Sequence, residues 1–146
     1  MRIEVITRNQ AETEAVGAKL SAILTPGTTV ALFGGLGAGK TAFVGGLARG
    51  MGITGPVTSP TYTIVNEYVS PSGLELFHFD MYRLSSSDEL FDIGWDDYCA
   101  RRGVCAIEWS ERVRDALPLD VIIVSIEKDD DCPDIRKIII EGGSLF

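Results

Sequence analysis

The chain has 146 residues, a length that suits one domain of roughly 100 to 200 residues. With 45% hydrophobic and 23% charged residues it is composed like a folded soluble domain, which excludes disorder, collagen-like repeats and coiled coil. Thirteen Lys and Arg against 21 Asp and Glu leave a net charge of −8, so unaided non-specific binding to a phosphate backbone is excluded and any RNA role requires a partner.

Residues 3–7 read as a short strand, and Asn9 with Glu12 three positions on is a capping box opening a helix. Val16, Leu20, Ile23 and Leu24 give that helix its apolar face, and Thr25-Pro26-Gly27 ends it. Residues 29–33 are an unbroken apolar run, the pattern of a central strand covered on both faces. Spacing predicts a helix over 42–51, where the adjacent Gly45 and Gly46 imply close packing against a neighbour. Residues 62–69 and 74–80 are strand-like around the turn signal Ser70-Pro71-Ser72-Gly73, a hairpin. Ser86 with Glu89 is a second capping box, for a helix near 88–93, and 96–102 reads as another short one. A buried strand over 104–107 and a closing hairpin, 121–126 with 135–141, complete the chain, with the acidic tip 129–134 in solvent. The fold class is therefore α/β.

Cys99, Cys105 and Cys132 contain no C-x-x-C pair, and His78 is the one imidazole. A structural zinc set is missing, and reduced, packed cytosolic thiols are expected. Neither a signal-peptide pattern nor an apolar run of roughly 18 residues is present, so a soluble, cytoplasmic protein with no membrane contact is expected.

Gly34-Gly35-Leu36-Gly37-Ala38-Gly39-Lys40-Thr41 matches G-x-x-x-x-G-K-[ST]. Glycines allow backbone N–H groups to turn inward into an anion nest, and the helix start adds unsatisfied N–H groups and a positive dipole end. Lys40 can reach the β and γ phosphates, and the Thr41 hydroxyl can ligate Mg²⁺. A carboxylate near the metal is expected at the end of a hydrophobic strand beside this loop. Asp80 and Glu108 both end such runs and should converge on the cation, one ligating it and the other positioning water. Ser59-Pro60-Thr61 sits where switch segments occur, so a Thr61 hydroxyl could contact the γ-phosphate or its metal; a Pro-directed turn is the plainer alternative. His78 reads as packed or paired rather than catalytic. Trp109 reads equally as a core anchor or a contact to nucleotide or partner. Arg83, Arg101, Arg102, Arg112 and Arg114 are surface arginines unless one stabilises phosphate charge.

No N/T-K-x-D segment follows the loop, so ATP is preferred to GTP. A small-molecule kinase needs an acceptor pocket and an arginine-bearing lid, for which the chain is short; a non-hydrolysing nucleotide sensor remains a rival reading. The loop 36–41, then Ser59-Pro60-Thr61-Tyr62-Thr63-Ile64-Val65-Asn66-Glu67-Tyr68, then His78-Phe79-Asp80-Met81-Tyr82-Arg83-Leu84, then Glu108-Trp109, together resemble the bacterial TsaE (YjeE) family, ATPase subunits of tRNA threonylcarbamoyladenosine biosynthesis. The resemblance covers nearly the whole chain and is only general in pattern after about Leu117.

The resemblance implies one P-loop ATPase domain over 1–146, a three-layer sandwich with a mixed, mainly parallel central sheet, binding ATP and Mg²⁺. It makes Thr41 and Glu108 the metal ligands and Asp80 the Walker B acid near the nucleotide, with Leu36, Gly37, Ala38, Gly39, Lys40 and Thr41 holding phosphate. Gln10 falls on the adenine side and Arg136 near the same pocket. Asp80, Glu108 and Thr61 are the catalytic candidates. TsaB-like and TsaD-like proteins are the implied partners, with tRNA reached only through them and hydrolysis resetting the complex. Gly35 departs from the family's usual Asp or Glu in the loop.

Overall fold

The computed structural model describes residues 2–60 and 63–142. Seven strands form one sheet in the order β1 (Arg2–Thr7), β7 (Arg136–Gly142), β6 (Ile122–Lys128), β2 (Thr29–Phe33), β5 (Val104–Glu108), β4 (Glu75–Asp80) and β3 (Val65–Val69). The four inner strands β6, β2, β5 and β4 pair in parallel, and β1, β7 and β3 join antiparallel at the two edges. The sheet is therefore mixed and parallel where it is most buried, as expected from the apolar run of β2, which lies fourth of the seven.

Alternation along the inner strands divides the core into two layers of side chains. Leu76, Val104 and Ala106 face the helices α1 (Gln10–Ser21) and α2 (Lys40–Gly50), where Leu20, Phe43 and Leu47 complete one cluster. Phe77, Phe79, Cys105 and Ile107 face the other way and bury Leu90 of α3 (Ser87–Asp92) and Trp95 of α4 (Trp95–Ala100). Helices on both faces of the sheet give the three layers. His78 and Asp80 share the parity of Leu76, and Glu108 that of Val104, so all three polar residues lie on the α2 face of the sheet.

The first capping box forms: Asn9 Oδ1 accepts from Glu12 N at 2.8 Å, and Glu12 Oε1 accepts from Arg8 N at 2.9 Å. The second does not. Ser86 precedes α3 but makes no side-chain cap bond, and Glu89 Oε1 accepts instead from the Ser85 hydroxyl at 2.6 Å. Helix α1 ends at Ser21, so Ile23 and Leu24 pack on the core from beyond it, and the buried positions on the helix are Thr13, Gly17 and Leu20. Helix α2 starts two residues before the apolar spacing begins, at Lys40, because its first turn serves the loop rather than the core. The strand expected from 62 begins at Val65, since Ile64 has φ +70° and interrupts the extended chain. Of the cysteines only Cys105 is packed, and burial pushes its thiol up to about 12; Cys99 and Cys132 are exposed, contrary to the expectation for all three.

The paired glycines of α2 are not equivalent. A Cβ on Gly46 would lie 1.9 Å from the Glu14 carbonyl oxygen, so the two helix backbones touch there, whereas a Cβ on Gly45 meets nothing within 4 Å. Gly46→Ala is therefore expected to destabilise the protein by about 2–3 kcal/mol, as overpacking against rigid backbone does. Gly45→Ala should stabilise it by about 0.5–1 kcal/mol through helix propensity and unfolded-state entropy. Urea unfolding of the two variants side by side checks the opposite signs.

Candidate nucleotide-binding site

The loop between β2 and α2 is shaped by its glycines. Gly37 and Gly39 have φ of +72° and +110°, conformations that strain any L side chain, and Gly39 stands where a side-chain cap would otherwise sit. Helix α2 thus opens with no side-chain cap on its first N–H groups, the condition for an anion to take that place. Lys40 is buried, and its Nζ donates to the carbonyls of Gly34 at 2.6 Å and Gly35 at 2.9 Å and lies 3.8 Å from the centre of the Trp109 ring. Burial lowers its pKa, opposed by the charges of Glu108, Glu111 and Asp80. Gly35 has open space where a Cβ would be, so a side chain there would not be obstructed at its first atom.

The acids arrive from the carboxyl ends of two adjacent parallel strands, Asp80 opposite Glu108 in register. Glu108 is on β5, next to β2, and Asp80 is one strand further out on β4. Thr41 Oγ1 donates to Glu108, with Oε2 at 2.9 Å and Oε1 at 3.1 Å. Asp80 is held differently: its Oδ2 accepts from the Ser59 hydroxyl at 2.8 Å and its Oδ1 from Tyr82 N at 2.9 Å. A cavity of about 360 Å³ opens between the loop and these acids, with Lys40, Thr41, Ser59, Asp80, Glu108 and Trp109 on its wall. Among the described residues no group of three or more His, Cys, Asp or Glu could enclose a metal ion. That donor set suits Mg²⁺, a hard cation that takes one or two protein oxygens and keeps the rest for water and phosphate.

Thr61 lies outside the described residues. The chain on either side of it is tied to Asp80: Ile64 N donates to Pro60 O at 2.9 Å, and Ile64 O accepts from Asp80 N at 2.8 Å. A β-branched residue at φ +70° costs roughly 1–2 kcal/mol, and this strain is stored directly beside Asp80.

Gln10 and Arg136 are not in the acid-lined cavity. They meet on the opposite flank of the loop, around a second cavity of about 350 Å³ that also involves Thr13, Ala38 and Asp134. Arg136 there braces the loop from outside: Nε donates to Ala38 O at 2.8 Å and Nη2 to Gly37 O at 3.4 Å. Sequence reasoning missed this bracing, Ser59 as partner of Asp80, and Tyr82 beside Trp109, whose rings are 4.9 Å apart. The His-x-Asp-x-Tyr spacing was the available signal for Tyr82, two residues past the acid. Arg101 pairs with Glu67 and Glu75, and Arg102 donates to Pro26 O at 3.2 Å, so both are committed elsewhere. Leu36 is 77% exposed at the loop tip, on the wall of the acid-lined cavity.

A buried strand that turns through this loop into α2, with a lysine heading the helix and acids ending two neighbouring parallel strands, makes the chain a P-loop nucleotide-binding α/β protein. The chain belongs to the TsaE family: the family model described as "Threonylcarbamoyl adenosine biosynthesis protein TsaE" matches residues 7–138. It is 42% identical over 132 residues to the tRNA threonylcarbamoyladenosine biosynthesis protein TsaE of Bacillus subtilis, covering 90% of this chain and 80% of that one. The protein of the same name from Treponema pallidum is 42% identical over 121 residues, covering 83% and 88%. The crystal structure of Bacillus subtilis YdiB superposes with a TM-score of 0.81 at 34% identity, covering 97% of this chain and 86% of that one.

Proposed function

We propose that residues 1–146 act as one Mg²⁺-dependent ATPase domain that serves threonylcarbamoyladenosine modification of tRNA, together with TsaB-like and TsaD-like proteins in the cytoplasm. The observation that carries the enzymatic reading is the meeting of the Thr41 hydroxyl and the Glu108 carboxylate beside the lysine-bearing loop. The family name, and the names of the relatives, support the tRNA pathway. In this reading the loop N–H groups and Lys40 grip the β and γ phosphates, while Gln10 and Arg136 flank the cavity on the adenine side. Thr41 and Glu108 would hold Mg²⁺, which when bound neutralises charge developing on the phosphates. Asp80, held by Ser59 and Tyr82, orients the attacking water, and Ser59 links the acid to the segment carrying Thr61.

The net charge of −8 favours a protein partner over direct contact with tRNA. No helix among the described residues is long and apolar enough to cross a membrane. No arginine is among the described residues that line the acid-lined cavity, which supports slow turnover alone and faster turnover when a partner completes the site. The purified chain should therefore hydrolyse ATP slowly and accelerate on addition of the TsaB-like and TsaD-like proteins. Rapid hydrolysis that the partners leave unchanged contradicts the proposal, and bound ATP left uncleaved in a single turnover with the full complex marks a sensor instead.

A further inference from the structure

His78 is fully buried on β4, and its Nε2 lies 2.5 Å from Glu108 Oε2. An ionised carboxylate can only accept, so the imidazole proton sits on Nε2 and is donated to Glu108. The other ring nitrogen, Nδ1, is buried without a hydrogen-bond partner among the described residues. A leucine would fill this interior position without burying a polar ring, so the imidazole's one polar contribution at this site is its bond to Glu108.

The two acids of the site differ in what holds them. Asp80 is fixed by a backbone N–H and by Ser59. Glu108 is held by Thr41 and His78. Thr41 is itself a metal ligand under the function proposed above, so its hydroxyl must reorient toward the cation and cannot also be the fixed support. His78 is the support outside the metal set. Its bond engages Oε2, while Oε1 has only the longer contact to Thr41 at 3.1 Å.

We propose that His78 is a positioning residue that locks the Glu108 carboxylate through Oε2 and so presents Oε1, beside the Thr41 hydroxyl, to Mg²⁺ bound with ATP. The proposal rests on the reading of Thr41 and Glu108 as metal ligands. It follows the general pattern in which a hydrogen bond to a ligating carboxylate orients the ligand and tunes metal affinity. The bond does not touch the phosphate loop, so nucleotide affinity without metal should not depend on it.

The test uses the full-length protein with His78→Leu, which removes the donor at similar volume, and His78→Gln, which returns an N–H near the position of Nε2. Calorimetry measures ATP affinity with Mg²⁺ and with EDTA, and the loss of free Mn²⁺ signal in electron paramagnetic resonance measures metal affinity of the ATP complex. His78→Leu should weaken metal binding by about 10- to 100-fold, with ATP affinity in EDTA within about twofold of wild type, and His78→Gln should recover most of the loss. If His78→Leu does not fold, His78→Asn takes its place: its shorter amide cannot reach Glu108, and it should be as deficient as Leu while Gln is not. Wild-type metal affinity in folded His78→Leu or His78→Asn, or equal losses in the Gln variant, overturns the role of His78. A wild-type protein whose ATP affinity is indifferent to Mg²⁺ overturns the metal reading itself, and the two failures are told apart by that control.

Discussion

Lys40→Ala is expected to lose saturable Mg·ATP binding, with affinity down by at least about 10²-fold, while the protein unfolds at or above the wild-type temperature. The ammonium is the one buried cation beside the loop, and it already makes two charge-assisted bonds to the carbonyls of Gly34 and Gly35. Redirected to phosphate, two or three such bonds at about 1.5–3 kcal/mol each account for that loss. Stability does not follow affinity, because burial works against the charged form of this lysine. The carbonyls it leaves belong to the half-buried Gly34 and the exposed Gly35, where water can replace it. Lys40→Met, which keeps the stem against the Trp109 ring, separates charge from packing and should be as deficient in binding and at least as stable. Calorimetric titration with Mg·ATP, alongside thermal unfolding of the same samples, checks both halves; a variant that still saturates near the wild-type concentration removes the loop from phosphate binding.

Asp80→Ala and Glu108→Ala should each lower ATP turnover by roughly 10²-fold or more, the scale of a positioned acid or base or charge-stabilising group, while changing ATP affinity far less. In the proposed function the loop grips phosphate, whereas the two carboxylates stand across the cavity at the ends of β4 and β5. The variants should differ in character. Under the proposed function Glu108→Ala removes a metal ligand, so excess Mg²⁺ should restore part of its activity. Asp80→Ala removes the acceptor of the Ser59 hydroxyl and the Tyr82 N–H and should not respond to added metal. Assays run with the partner proteins present give the turnover range needed, and wild-type rates in both variants would remove the acids from the mechanism.

Much of this site could be read along the chain because each part is local. A strand, a glycine-rich turn and a helix are contiguous from Thr29 to Gly50, and the turn's backbone geometry depends on residues within it. The ends of two hydrophobic runs located Asp80 and Glu108, and period-two spacing within such a strand sets His78 and Asp80 on one face. The capping pair Asn9 and Glu12 was legible for the same reason, since its atoms are three residues apart.

What required the folded chain is every relation between segments distant in sequence. That β4 and β5 are neighbours in register, so that Asp80 stands opposite Glu108, follows from parallel pairing of strands 28 residues apart. The bond of the Ser85 hydroxyl to Glu89, and the unlike surroundings of Gly45 and Gly46, depend on a rotamer and on a neighbouring helix that no spacing encodes. Arg136 also clasps the carbonyls of Gly37 and Ala38, 98 residues away from the latter, a pairing that no spacing announces. The residue types and their order carry the chemistry, because a hydroxyl, a carboxylate or a glycine has its properties wherever it lies. Their pairing is a matter of distance in space, and here hydrophobic burial on the two faces of the sheet brought the pairs together.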